Sequence, residues 1–121
     1  MLKKPGFYSE ETLDSERHAW IYQLKGKFVG NQDCYDFLEK ARDNINEKTP
    51  HVVLLMSGIT LINSTGIGMI AALFTSAGGP KGKLFLVAPS EGAKRQLVVT
   101  HLWEYLKVVD DLGDLPAQLE G

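Results

Sequence analysis

Polar and apolar positions along the chain repeat with two periods, two residues and about 3.6 residues, and the switches between them mark the elements. Phe7 to Leu13, with polar residues scattered through it, reads as a short edge strand. From His18 to Val29, Trp20, Tyr22 and Leu24 alternate with Ile21, Gln23 and Lys25 in a β-prone run, which predicts a strand that ends or bulges at Gly26. Cys34, Phe37, Leu38, Ala41 and Ile45 then recur at helical spacing and predict an amphipathic helix over 32–48. Asn31 is its expected N-cap, Asp33 and Asp36 suit its positive end, and Lys48 with Pro50 stops it.

Val52 to Met56 is a continuous apolar run, the pattern of a strand covered on both faces. Asn63-Ser64-Thr65-Gly66 breaks it open, and beyond the break Ile67, Ile70, Ala71 and Phe74 share one helical face as far as Gly78-Gly79-Pro80. Leu84 to Ala88 predicts another short buried strand. Pro89-Ser90-Glu91 opens a third helix with Ala93, Leu97, Val98 and Leu102 on its inner side. Leu106 to Val109 completes the strands, and Leu112 to Leu119 predicts a short final helix. Strands alternating with helices imply an α/β fold with right-handed crossovers. The expectation is one mixed sheet of four to five strands packed with about four helices. No linker, repeat or low-complexity segment divides the chain, so 1–121 is read as one domain.

Charge and composition narrow the function. A net charge of -2 gives no cationic footprint for nucleic acid. Cys34 is the lone cysteine, which excludes a disulfide framework and fits a reducing cytoplasm. Met1-Leu2-Lys3-Lys4-Pro5-Gly6 begins like a signal peptide but lacks its apolar core. No Asp, Glu, Lys or Arg stands between Lys48 and Lys81, a stretch long enough to test as a membrane span. It fails, because Ser57, Gly58, Thr60, Asn63, Ser64, Thr65 and Gly66 would sit near the bilayer centre and no basic cluster anchors either end. A cytoplasmic chain without membrane insertion is expected.

The candidate chemistry gathers at the polar break. Asn63 or Ser64 can serve as a helix cap. A hydroxyl at a helix N-terminus on an uncharged surface also suits a regulatory phosphate, which the free N–H groups and the helix dipole favour. Met69 and Leu73 lie beside the core face of that helix, where they either touch a partner or pack under a loop. A phosphate of about -1.5 to -2 charges placed in such an apolar contact would oppose docking. Lys94 and Arg95 form a solvated helix face or, alternatively, part of an interaction surface.

Gly66-Ile67-Gly68-Met69-Ile70-Ala71 also fits the G-x-G-x-x-A turn of dinucleotide-binding proteins, with Glu91 after the next strand. Against it, nine residues separate Met56 from Gly66, whereas the fingerprint follows its strand directly. Gly78-Gly79-Pro80-Lys81-Gly82-Lys83 looks like a phosphate loop but lies between a helix and a strand in the wrong order, so it reads as a turn. Asn63-Ser64-Thr65 matches a glycosylation sequon that has no secretory context. His18, His51 and His101 are far apart, with no ligands at metal-binding spacing, and no catalytic set is deducible. No cofactor, metal or enzymatic activity is expected, and acids such as Asp110-Asp111 face solvent.

Leu54-Leu55-Met56-Ser57-Gly58-Ile59-Thr60-Leu61-Ile62-Asn63-Ser64-Thr65-Gly66-Ile67-Gly68 resembles the STAS domain of bacterial anti-sigma factor antagonists, which reads approximately L-D-L-S-G-V-x-F-I-D-S-[ST]-G-[LI]-G. Gly82-Lys83-Leu84-Phe85-Leu86-Val87 is similar to the family's G-x-x-L-x-L-V strand. Ala93-Lys94-Arg95-Gln96-Leu97 with Leu102 resembles the helix that follows, and Leu24-Lys25-Gly26 the L-x-G before the first long helix. The likeness spans residues 18–112. It implies a mixed sheet packed with helices and a non-enzymatic phospho-switch that controls transcription. A partner anti-sigma factor kinase phosphorylates the serine that Ser64 matches, the unphosphorylated form binds the anti-sigma factor and frees the sigma factor, and a serine phosphatase resets the switch. Asn63, Thr65, Gly66 and Gly68 form the loop around that serine. Association with a second copy is left open.

Four positions depart from the family pattern: Asn63 replaces the usual Asp, Leu55 a frequent acid on the preceding strand, and Lys27 and Val29 the acids of a G-E-x-D segment. These make the surroundings of Ser64 more neutral. Besides the antagonist, the alternatives are a STAS interaction subunit that is never phosphorylated, as in a signalling or lipid-transport complex, and a small nucleotide-binding domain using Gly66 and Gly68.

Overall fold

The computed structural model describes residues 6–116, 118 and 119. Five strands, β1 (Phe7–Asp14), β2 (Ala19–Phe28), β3 (His51–Ile62), β4 (Leu84–Val87) and β5 (Lys107–Val109), form one sheet in the order β1-β2-β3-β4-β5. β1 and β2 make an antiparallel hairpin, while β2, β3, β4 and β5 pair parallel. Three α-helices supply the crossovers: α1 (Gln32–Asn44), α2 (Ser64–Ser76) and α3 (Glu91–Val99). The α/β class and the mixed sheet agree with the pattern of the sequence.

All three helices contribute to one core. Phe37, Leu38 and Ala41 of α1, Ile67, Ile70 and Leu73 of α2, and Ala93 and Leu97 of α3 pack on Tyr22, Leu24, Val52, Leu54 and Met56. The Phe37 ring meets the Tyr22 and Phe28 rings edge to face, with centroids 5.3 and 6.0 Å away. Burial pushes the Tyr22 phenol up to about 12, and its oxygen accepts a hydrogen bond from Asn44 at 2.9 Å. On the other side of the sheet a smaller core joins Ala19, Val53, Phe85 and Val87 to Leu115 and Leu119. Arg17 pins this C-terminal segment: its Nε donates to the Pro116 carbonyl at 2.9 Å, and its Nη1 pairs with Asp14 at 2.8 Å. Hydrogen bonding from the Arg17 amide holds the Asp14 carboxyl below the usual carboxylate range, against the effect of burial.

Several boundaries and positions differ from the sequence reading, among them the end of α3, which stops at Val99 and leaves Leu102 beyond it. α1 stops at Asn44, not 48, because the Asn46 side chain folds back to accept from the Lys48 and Thr49 amides at 2.8 and 2.9 Å. β3 runs on through Ser57-Gly58-Ile59-Thr60 to Ile62. In that extension it pairs only with β2, since the β4 pairing ends at Leu55, so its sequence need not be apolar on both faces. Of the final helix expected over Leu112–Leu119, the described residues contain one 3-10 turn, Leu112–Asp114, closed by reciprocal bonds between Asp111 and Asp114. Pro116 drives the preceding Leu115 into extended backbone and ends it. Val98, expected on the inner side of α3, is 48% exposed.

Among the described residues no helix is long and apolar enough to cross a membrane, and no group of three potential metal ligands occurs.

Candidate functional site

Because β2, β3 and β4 run parallel, the helices that follow them all start at the same edge of the sheet. Each start is capped by a side chain. Asn31 Oδ1 accepts from the Cys34 amide at 3.0 Å, Asn63 Oδ1 from the Gly66 amide at 2.9 Å, and Ser90 Oγ from the Ala93 amide at 3.1 Å. In α2 the cap is therefore Asn63, and Ser64, the first helical residue, is exposed with its hydroxyl free of that duty.

The loop from β2 into α1 braces this end of α2. Asn63 Nδ2 donates to the Val29 carbonyl at 3.3 Å. A Cβ placed on Gly66 would overlap the Phe28 carbonyl oxygen and stand 2.9 Å from Ile62 Cγ1, so only glycine lets the helix approach that closely. The Thr65 methyl covers Gly30 in the same way, closing space that a side chain at position 30 would need. A side chain as short as Asn63 can thus accept from its own helix and donate to the neighbouring loop. An Asp there would keep the first bond and lose the second.

Charge distinguishes α2 from its neighbours. The first turn of α1 holds Asp33 and that of α3 holds Glu91, whereas α2 has no acid in its first turn and no base in its last. Beside Ser64 opens a groove of about 350 Å³ between α2 and α3, lined by Ser64, Ile67, Arg95, Gln96, Val99 and Thr100. Gln96 Nε2 donates to the Ile62 carbonyl at 2.7 Å and so ties α3 to the end of β3. Gln96, Val99 and Thr100 were not singled out as site residues by the sequence. Val99, which is 75% exposed, carried a signal all the same, since it follows Val98 off the stripe of Ala93 and Leu97.

Other expected residues fall into place or out of it. Thr65 and Gly68 are exposed beside Ser64, and Gly66 is buried. Lys94 and Arg95 are exposed on α3, but only Arg95 lines the groove. Lys94 Nζ stands over the Trp103 ring, 5.2 Å from its centroid. Met69 and Leu73 are 4% and 1% exposed. Both belong to the helix-side core, so neither forms a partner-facing surface. α2 lies between α1 and α3 and buries more of its circumference than one stripe, which the sequence pattern does not reveal. Leu55 also moves away from the site. It packs in the small core on the opposite face, seven residues and so roughly 23 Å along the strand before the end of β3 at Ile62. The acid it replaces would not have bordered the hydroxyl. Lys27 is exposed at the end of β2 opposite Leu61, and Val29 contributes its carbonyl to Asn63.

The dinucleotide pattern meets a different objection from the one its spacing raised. β3 continues to Ile62, so Gly66 follows a strand after three residues and the spacing argument falls. Gly66 and Gly68 nevertheless lie inside α2 rather than in a turn before it, and Gly66 is closed by the Phe28 carbonyl. The strand order also runs in one direction across the sheet, without the reversal that opens a nucleotide crevice.

The STAS domain family model matches residues 7–115. A candidate anti-sigma factor antagonist of Thermotoga neapolitana is 26% identical over 77 residues, 64% of this chain and 68% of the relative. The crystal structure of an anti-sigma factor antagonist from Mycobacterium paratuberculosis superposes with a TM-score of 0.74 at 17% identity, covering 93% of this chain and 94% of that one. A candidate antagonist from Thermotoga maritima gives 0.69 at 21% identity, covering 88% and 89%. The antagonist SpoIIAA in its unphosphorylated form gives 0.59 at 12%, covering 88% and 91%. The family match runs from β1 to the C-terminal segment that closes the small core, and the chain belongs to the STAS domain family.

Proposed function

We propose that this chain is an anti-sigma factor antagonist. It binds an anti-sigma factor serine kinase in the cytoplasm and so releases a sigma factor. It dissociates when the kinase phosphorylates Ser64, and a serine phosphatase resets it. It acts by binding and carries no catalysis of its own. The observation that carries this reading is the division of labour at the start of α2. Asn63 performs the capping, and Ser64 is left exposed at a helix end whose first turn holds no acid. The relatives described as anti-sigma factor antagonists support the same role. A phosphate on Ser64 would sit at the mouth of the groove lined by Ile67 and Val99, where a charge without a partner opposes docking of an apolar surface.

The test is phosphoryl transfer. The protein is incubated with anti-sigma factor kinases and ATP, and the added phosphate is located by mass spectrometry. Label on Ser64 that disappears in Ser64→Ala is the expected outcome. Phosphate confined to another residue would overturn the switch as stated. The amide of Asn63 with Lys27 and Val29, in place of family acids, favours a second reading: a STAS subunit of a signalling or lipid-transport complex that is never phosphorylated. Tight kinase binding without label would select it.

A further inference from the structure

We infer that Arg95 is the counter-ion of a phosphate on Ser64, and that phosphorylation closes the α2–α3 groove rather than merely adding charge to it. The inference rests on the proposed phosphorylation of Ser64 and names how that site is regulated. Ser64 and Arg95 line one groove of about 350 Å³, on opposite helices. Every other lining residue is uncharged, so Arg95 is the one cation among them. No carboxylate holds its guanidinium: the ion pairs among the described residues are Arg17–Asp14, Lys40–Glu11 and His101–Glu104.

The backbone that carries Arg95 is fixed relative to Ser64. Its neighbour Gln96 is bonded at 2.7 Å to the Ile62 carbonyl, two residues before Ser64. Lys94, one position earlier, is turned away onto Trp103. The guanidinium fork matches two phosphate oxygens at once, and the free amides of the first turn of α2 serve the remaining one. Drawn together, phosphate and guanidinium roof the groove over Ile67 and Val99, withdrawing the apolar surface that a partner would contact. An uncharged Ser64 leaves Arg95 without an ion-pair partner among the described residues and the groove open.

Phosphoserine placed at position 64 during translation tests this in the full chain, with the phosphate titration followed by ³¹P NMR at low salt. The second ionisation of a phosphoserine lies near pH 6. A paired guanidinium favours the dianion, so the native chain should titrate roughly half a pH unit or more below Arg95→Gln, while Lys94→Gln follows the native curve. Raising the salt concentration should shrink the difference. Coincident curves for the native chain and Arg95→Gln would overturn the inference, as would an equal shift in Lys94→Gln, which would mark a diffuse field rather than a contact. Because the phosphate is installed without a kinase, failure of a kinase to label Ser64 leaves this measurement intact. The two readings therefore fail separately.

Discussion

The starts of α2 and α3 are built alike and finish differently. Each follows a buried strand of the parallel set, and each is opened by a side-chain oxygen that accepts an amide three residues on, at 2.9 Å in α2 and 3.1 Å in α3. Past the cap, α3 continues with Glu91, an acid that satisfies the positive end of the helix. α2 continues with Ser64 and carries no charge along its length. The difference separates two jobs that the sequence Asn63-Ser64 leaves mixed. Helix capping accounts for Asn63 and Ser90 equally, and it does not account for Ser64. What remains at α2 is an exposed hydroxyl on a helix end whose favourable potential no charged side chain uses.

The two ends also differ in how tightly they are held, and this gives the largest expected effect. Gly66→Ala places a methyl group on the Phe28 carbonyl and against Ile62. It should lower stability by about 2–4 kcal/mol, since backbone and not a pliable side chain must give way. At α3 the amide that the cap accepts belongs to Ala93, and the first-turn glycine, Gly92, stands one position earlier, with Ser90 Oγ 3.9 Å from an added Cβ. Gly92→Ala should stay within about 0.5 kcal/mol of the native chain. Gly68→Ala, with no atom beyond its chain neighbours and its own helix backbone within 4 Å of the added carbon, should gain about 0.5–1 kcal/mol from helix propensity. Urea unfolding midpoints at constant slope report all three. A Gly66→Ala midpoint equal to the native one would dissolve the contrast in packing.

The caps come next in size. Asn63→Ala removes the bond to Gly66 and the bond to the Val29 carbonyl, whereas Ser90→Ala removes one. The expected losses are about 1.5–2 kcal/mol and about 1 kcal/mol. Ser64→Ala should change stability by less than about 0.5 kcal/mol, because its hydroxyl is exposed and does not cap. If Ser64→Ala cost as much as Asn63→Ala, the hydroxyl would be structural and the comparison would collapse.

How much of this was legible in the sequence depends on whether a residue acts through its own turn or through distant neighbours. The caps at Asn31 and Ser90 read directly, because a cap and its amide lie three residues apart. Asn63 and Ser64 stayed interchangeable, because the choice turns on the Val29 carbonyl, 34 residues away in the chain. Met69 and Leu73 looked available for the same reason. Periodicity assigns one buried stripe to a helix, and only the flanking positions of α1 and α3 bury a second. The end of β3 was read six residues short because Ser57, Gly58 and Thr60 interrupt an apolar run that the strand no longer needs once β4 has ended. The groove escaped altogether, since it joins residues from two helices and only Val99, out of line with its stripe, hinted at it.

The smallest effect addresses the charge difference itself. Moving an acid onto α2 and removing one from α3 should make the two ends trade character. Ser64→Asp supplies a carboxylate to a helix end that has no acid and should stabilise the chain by about 0.3–1 kcal/mol at low salt, while Glu91→Gln should cost about as much. Both sites are exposed, so 1 M NaCl should erase most of each change. Binding to an anti-sigma factor kinase should respond in the opposite sense to stability at α2, because the charge that suits the helix opposes an apolar partner. Ser64→Asp should therefore bind more weakly, and Glu91→Gln, which lies outside the residues lining the groove, should bind as the native chain does. Equal binding by Ser64→Asp and the native chain, alongside the stability gain, would show that the helix end tolerates charge without reading it out, and would leave the vacancy at α2 without a switching role.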